Sequence, residues 1–383
     1  MADPVTIPTA SGPGWYPDPW SVAPWRWWDG EAWTVHLHQG EERKPRTPSW
    51  LSVPVLVAGL LTLPMVVFLA SQSVGAVLLG LVPLLFVLPT MAWLDRVEPE
   101  PFGSRLHALL WGGTVAGLVS GIVNSIVAVG AGENIATVVS APVVEEAMKG
   151  LGIIWALRRR EIDGVMDGIV YAGWVAVGFA VIENMLYFAD AAASDMLLPV
   201  FVLRAIFTPF AHPLFTAWIG LAIGLAVARR QSIALNALWG YGLAVASHAA
   251  WNGSLVYADS TGNDGAVAIA ALCFFLLFVA AITTVIVLRR QEQQRFLRAV
   301  PMLAQRYGMS PQEVQTFGHW QEMLKARRRL SPRSKKKRFD AVHACLARLA
   351  LLHSRPGTVE PVAEQRLSHQ LQRARSEYAA DLA

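Results

Sequence analysis

The sequence predicts an all-α bundle of membrane-spanning helices, preceded by a small β-rich module and followed by a basic helical tail. Three observations carry that prediction. Of the 383 residues, 54% are apolar and 16% charged, where a soluble domain averages about 25% charged. The apolar residues are concentrated between Trp50 and Leu288, in runs long enough to cross a bilayer as helix. Lys and Arg alternate along the connections between those runs. This composition excludes disorder, a fibrous repeat and an ordinary soluble enzyme.

Windows of about 20 apolar residues give about eight spans, near 50–70, 73–94, 106–131, 134–157, 164–189, 197–228, 234–258 and 265–288. Pro209 and Pro213 predict a kink or unwound turn in the sixth. Gly113, Gly117 and Gly121, and again Gly220 and Gly224, recur at four-residue intervals, a spacing that lets helix backbones approach closely in lipid.

Arg43, Lys44 and Arg46 precede the first span, and Arg96 and Arg105 follow the second. Arg158–Arg160, Arg229 with Arg230, and Arg289 with Arg290 follow the fourth, sixth and eighth. The loops near 71–73, 132–133, 190–196 and 259–264 carry no Lys or Arg. By the positive-inside rule both termini are cytoplasmic and the span number is even. The two cysteines, Cys273 and Cys345, would have to pair across compartments, so both are expected to be free thiols. The first 49 residues lack a signal-peptide pattern, which leaves targeting to the first span.

Three regions follow: residues 1–49, 50–288 and 289–383. Seven of the 15 tryptophans fall in the first 50 residues. Gly14-Trp15-Tyr16-Pro17-Asp18-Pro19 and Arg26-Trp27-Trp28-Asp29-Gly30, then Trp33-Thr34, read as short strands around Asp-Gly-type turns in a module of about residues 14–36. These residues resemble a small Trp-rich N-terminal domain of unknown function, in which stacked aromatics would replace a core. The tail from Arg289 has 19 Lys and Arg against 8 Asp and Glu, a net +11. Its cluster Lys325, Arg327–Arg329, Arg333 and Lys335–Arg338 suits the anionic headgroups of a cytoplasmic leaflet, and no nucleic-acid partner is expected. Helical patterning around Phe339–Leu352 predicts a small amphipathic bundle there.

A charge inside a span costs several kcal/mol, so each one is a functional candidate. Seven stand in span interiors: Glu145, Glu146 and Lys149 in the fourth, Glu183 in the fifth, Arg204 and His212 in the sixth, and His248 in the seventh. Glu145 and Lys149 are four apart and share a face, with Glu146 about 100° further round. Phe179, Glu183 and Tyr187 share another face, as do Arg204, Thr208, His212 and Thr216, and His248 with Asn252. Four polar stripes suit a buried hydrolytic cluster. The same residues would also serve a transporter, which predicts inverted repeats that the sequence does not display, or a non-catalytic scaffold, whose stripes need not converge.

Val144-Glu145-Glu146-Ala147-Met148-Lys149 resembles the EExxK motif of PrsW-type intramembrane proteases. Asp167-Gly168 through Tyr171, with Gly178-Phe179 through Glu183-Asn184 and Tyr187, is similar to that family's second motif, and His212-Pro213-Leu214-Phe215-Thr216 to its third. His248-Ala249-Ala250-Trp251-Asn252 is similar to its last, shared in form with the wider prenyl-protease and abortive-infection superfamily. The likeness covers roughly residues 90–260 in order, with Ala172 where the family often has Gly. It implies a multi-pass protein of the bacterial cytoplasmic membrane that cleaves a single-pass membrane protein, the substrate type being an anti-sigma factor, and the depth of the stripes at about 1.5 Å per residue puts the cut near the outer face.

Peptide hydrolysis needs an activated water, a polarised carbonyl and an oxyanion stabiliser. Glu145 or Glu146 is the candidate base, beside Lys149. As a metalloprotease, which the resemblance implies, the chain would bind a divalent metal, zinc, through Glu183, His212 and His248. A metal-free mechanism is also physically sound, with glutamate and histidine activating water and His248 and Asn252 donating to the oxyanion.

Overall fold

The computed structural model describes residues 14–17, 25–38, 52–331, 333–354 and 361–380. Asp18, Pro19, Trp20, Arg43, Lys44, Arg46 and Trp50 lie outside them. The chain divides into two compact units, residues 47–293 and residues 1–46 with 294–383.

The N-terminal strands are β1 (Gly14–Pro17), β2 (Trp25–Trp28) and β3 (Trp33–His38), an antiparallel sheet in the order β1-β2-β3. Trp15 faces Trp27 and Trp28 faces Trp33 across the pairs. The predicted Asp-Gly turn forms between β2 and β3. Asp29 Oδ1 accepts from the backbone N–H of Glu31 and Ala32 at 2.8 and 2.7 Å, and Gly30 takes φ +107°, which costs a side-chain-bearing residue more. Trp28 and Trp33 meet edge to face at 5.2 Å. His36 is exposed, and no metal-holding group among the described residues includes it.

The membrane unit contains α1 (Val53–Gln72), α2 (Val74–Leu94), α3 (Phe102–Ala131), α4 (Ala141–Arg158), α5 (Val165–Ala193), α6 (Leu197–Arg229) and α7 (Ile233–Thr261). It also contains the N-terminal part of α8 (Gly265–Tyr307). All eight predicted spans are helices, and six of them, α1–α3, α5, α6 and α8, are long and apolar enough to cross a membrane. The other two are α4 and α7, which carry Glu145, Glu146 and Lys149, and His248 and Asn252. The polar residues that make those helices interesting are what lower their apolarity. Helix α8 runs 19 residues beyond its predicted end at 288, because no Gly or Pro interrupts it before Pro301.

Helix α5 is the centre of this unit: 78% of its most apolar window is buried, against 67% in α6 and none in α8. Glycine makes this possible. A Cβ on Gly168 would stand 2.1 Å from the Gly220 carbonyl oxygen, and one on Gly178 1.9 Å from that of Leu109. Of the predicted α3 glycines, Gly113 would bring a Cβ 3.1 Å from the Gly178 carbonyl, while Gly121 meets nothing within 4 Å. Gly112, outside the four-residue series, makes the closest α3 approach, with a Cβ only 1.8 Å from Val175 O. A π-helical turn at Trp111–Ala116 shifts the face that α3 presents and so breaks the plain spacing rule. Two more π turns, Ala136–Ser140 and Val202–Phe207, lie just before α4's carboxylates and before the break in α6. That break falls at Thr208–Phe210, with Pro209 inside it and Pro213 in the first turn after it, as the two prolines predict.

The C-terminal part of α8 packs with α9 (Pro311–Phe317), α10 (Trp320–Arg329), α11 (Arg333–Ser354) and α12 (Pro361–Ala380). Phe296, Leu303, Phe317, Phe339, Leu346 and Leu371 form their core. This is the amphipathic bundle expected from the Phe339–Leu352 pattern.

Candidate active site

Helix α4 supplies three buried charges on adjoining faces. Lys149 Nζ donates to Glu146 Oε1 at 2.8 Å and to Glu145 Oε2 at 3.4 Å. The pairing expected with Glu145 at four residues is therefore present, but Glu146 at three is closer, and one long side chain reaches both positions. Lys149 also stands 3.9 Å over the Phe179 ring and 3.1 Å from His212 Nδ1. With no exposed surface at all, this ammonium is held by two carboxylates, an imidazole and an aromatic face.

The two glutamates differ in what else they touch. Glu146 is fully buried: Thr216 Oγ1 donates to its Oε2 at 2.8 Å, and His248 Nδ1 lies 3.1 Å from its Oε1. Glu145 is 5% exposed and lines a cavity of about 400 Å³. Asn124 Nδ2 donates to Glu145 Oε1 at 3.4 Å and is itself held by Ser140 Oγ, which donates to Asn124 Oδ1 at 2.8 Å.

Across α5 and α6, His212 Nε2 lies 2.6 Å from Glu183 Oε2. Arg204 pairs with the same Glu183 oxygen, donates through Nε to Asn184 Oδ1 at 2.7 Å, and covers the Tyr187 ring at 3.9 Å. The His248 ring stacks on Phe215 at 4.9 Å and lies 5.4 Å from the His212 ring. All four polar stripes therefore meet, an arrangement that a scaffold has no need of.

Among the described residues, Glu145, His212 and His248 offer donor atoms within 4.8 Å of one another. Two imidazoles and a carboxylate make the three-ligand set of catalytic zinc sites, and the contact of His248 Nδ1 with a carboxylate is the second contact such histidines make. The donor types fit a divalent cation, and in this structure both His212 nitrogens are engaged, Nδ1 by Lys149 at 3.1 Å and Nε2 by Glu183 at 2.6 Å. Glu183, expected as the third ligand, is outside this group; its carboxylate is engaged by Arg204 and His212. Asn252 Nδ2 donates to Thr137 O at 3.0 Å, and its side chain lines both the 400 Å³ cavity and a chamber of about 40 Å³. That chamber is bordered by Glu183, His212 and His248. A second acidic group, Glu98, Asp163 and Asp167, contains no histidine. Its Asp167 caps α5, accepting from the backbone N–H of Asp163 and Gly164 at 3.0 and 2.7 Å.

Asn124, Ser140 and Thr137 do not stand out in the sequence. A charge is what marks a residue inside a span, and these three are neutral. Asn124 carries a usable signal all the same, being an amide in the apolar third span.

Residues 100–282 match the family described as PrsW family intramembrane metalloprotease, which bears out the resemblance read from the four motifs. Residues 13–46 match a family described as a protein of unknown function, DUF2510, over the Trp-rich module. A protease PrsW of Clostridioides difficile (strain 630) is 37% identical over 86 residues, 22% of this chain. The chain spans 36% of that relative's length. No solved structure matches the chain.

Proposed function

We propose that this chain, whose residues 100–282 match the PrsW family, is an intramembrane endopeptidase of the bacterial cytoplasmic membrane. Both its termini are cytoplasmic, and it hydrolyses a peptide bond of a single-pass membrane protein such as an anti-sigma factor. The observation that carries this reading is the meeting of Glu145, which lines the 400 Å³ cavity, with His212 and His248, which border the 40 Å³ chamber.

Glu145 takes the proton of the attacking water, since it faces the cavity whereas Glu146 is enclosed by Lys149, Thr216 and His248. Glu146 is then a positioning residue that holds His248 and Lys149. Once protonated, Glu145 returns the proton to the departing amine. Asn252 has two amide N–H groups and uses one on Thr137 O, so the other is available to the developing oxyanion beside His248. Glu183, fixed by Arg204, orients His212. His212 and His248 would hold the divalent metal, zinc, with Glu145 left free as the base; when bound, such an ion polarises the scissile carbonyl and acidifies water. The basic tail contacts anionic headgroups of the cytoplasmic leaflet.

The test is cleavage of a co-expressed single-pass membrane substrate. Glu145→Gln, His212→Ala and His248→Ala are expected to lower it by at least about 10²-fold, the usual scale for losing an acid–base group, with protein levels unchanged. Undiminished cleavage by all three would end the proteolytic reading. Metal content of the purified protein, expected to fall in His212→Ala and His248→Ala, tests the ligand set separately.

A further inference from the structure

Hydrolysis inside a bilayer needs water where lipid excludes it, and the 400 Å³ cavity beside Glu145 has the makings of a route. Ser120, Asn124 and Ser125 line it from α3 beside Ala128 and Val129, Glu133 and Thr137 from the segment that leads into α4, and Glu145 from α4 itself. Glu133 sits at the loop without Lys or Arg, twelve residues before Glu145, a rise of about 18 Å along a helix. We infer that this cavity is an aqueous inlet, opening at Glu133 on the outer side and delivering the reacting water to Glu145. The inference rests on the proteolytic reading for its purpose, though not for its test.

Three features favour water as the occupant. Ser120 Oγ is buried, in a residue 2% exposed, and among the described residues it has no hydrogen-bond partner. A hydroxyl left that way costs about 1–3 kcal/mol, and a rotation that brings it to water in the cavity would remove the cost. The polar residues also keep to one side of α3. Ile122 and Ile126, at 53% and 66% exposure, face away from the protein, so the helix separates a lipid-facing side from the side bearing Ser120 and Asn124. Finally, the cavity is roomy enough for on the order of ten waters or more, since the centre of each needs a free space of about 10–15 Å³. The neighbouring 40 Å³ chamber, which shares Glu183, Tyr187 and Asn252 with the inlet, admits only a few. A wide inlet with polar groups from α3 and the segment before α4 thus meets a narrow chamber at the histidine pair.

Single cysteines at Ser120, Ser125 and Ile122, in the full chain with Cys273→Ser and Cys345→Ser, test this by reaction with a membrane-impermeant sulfonated thiosulfonate added outside intact cells. Ser120→Cys and Ser125→Cys are expected to react at least tenfold faster than Ile122→Cys, because a thiol reacts as thiolate and needs water. Equal rates at all three positions, no reaction at Ser120 and Ser125, or reaction only from the cytoplasmic side would each overturn the inlet. Labelling does not depend on cleavage, so a failed inlet and a failed protease give different results. Filling the cavity with Ser120→Leu, and more mildly with Ser125→Val, is expected to lower kcat for the membrane substrate several-fold with KM unchanged. Labelled cysteines together with unaltered kcat in both fillings would overturn the delivery role.

Discussion

The membrane unit and the C-terminal helices are both helical, yet each is nearly the other turned inside out. The outer faces of the membrane helices are apolar, with Val129 91% and Phe207 71% exposed, and their interior holds glycine contacts and a charged cluster. The C-terminal helices bury Phe296, Leu303, Phe317 and Leu371, and their ion pairs lie partly exposed, as in Arg327 with Asp340 and Arg306 with Glu364. In water, burying apolar surface drives assembly. In lipid that drive between helices is missing, so close backbone packing and polar contacts must do it. Substitutions of one kind should therefore have opposite consequences in the two regions.

The largest effect is expected where helices touch through glycine. Gly168→Val puts side-chain atoms where a Cβ alone would lie 2.1 Å from the Gly220 carbonyl oxygen, so α5 and α6 must separate. A loss above about 4–5 kcal/mol is expected, the range reserved for severe packing faults. It would be read as disappearance of folded protein in detergent melting curves, while Gly121→Ala, with nothing within 4 Å, melts as the parent does. A folded Gly168→Val would show that the bundle yields where its backbones meet.

Next in size is Glu146→Ala, which removes the closer carboxylate from a fully buried ammonium and leaves Lys149 with Glu145 at 3.4 Å. Breaking a buried pair from one side costs about 3–5 kcal/mol. Melting measurements should show that loss in Glu146→Ala and recover part of it in Glu146→Ala with Lys149→Met, where the ammonium is gone and Glu145, held by Asn124 at the cavity, keeps its charge. An equal loss in single and double variants would mean that the charges of the cluster do not support one another.

In the C-terminal helices the corresponding buried group is His343, 5% exposed, edge-on to Phe296 at 5.3 Å. Burial, with Arg327 adding repulsion against the pull of Asp340, lowers its pKa from 6.5 to about 4. Above pH 6.5 the imidazole is neutral whether folded or unfolded, and stability is complete. As pH falls from 6.5 towards 4 the unfolded chain takes up the proton first, so stability is lost across that window, by about 3 kcal/mol at its lower end. Hydrogen exchange of α11 in the full chain, corrected for intrinsic rates, should show protection falling between pH 7 and 5, and His343→Leu should flatten the change. Unchanged protection in the parent chain would mean that His343 is not buried in solution.

The same contrast explains what the sequence could disclose. Span positions, the α6 break at Pro209 and the four stripes were legible because apolarity, proline and charge each leave a local mark. The order of preference within the cluster was not: whether Lys149 leans to Glu145 or Glu146, and whether Glu183 meets Arg204 or joins the histidines, depends on how helices far apart in sequence are rotated. The π turns in α3 and before α4 change those rotations without any sequence mark that periodicity could detect. Neutral partners such as Ser140 and Thr137 were hidden for a different reason, since a hydroxyl in a span is cheap enough to have many uses.

The smallest effect is expected at the ion pair of Arg327 and Asp340. It is well made, with Arg327 Nε and Nη2 donating to the two carboxylate oxygens at 2.5 and 2.7 Å. Yet the side chains are 42% and 34% exposed, and solvent-screened pairs contribute about 0–1 kcal/mol. Asp340→Asn should therefore leave the protection of α11 at neutral pH within that margin, and added salt should shrink even this. The substitution also removes the one neighbour that favours the charged form of His343, so its effect should grow as pH falls from 6.5, in the direction of lower stability for the protonated bundle. A large loss at neutral pH would place this pair with the buried ions of the membrane unit and remove the distinction between the two regions.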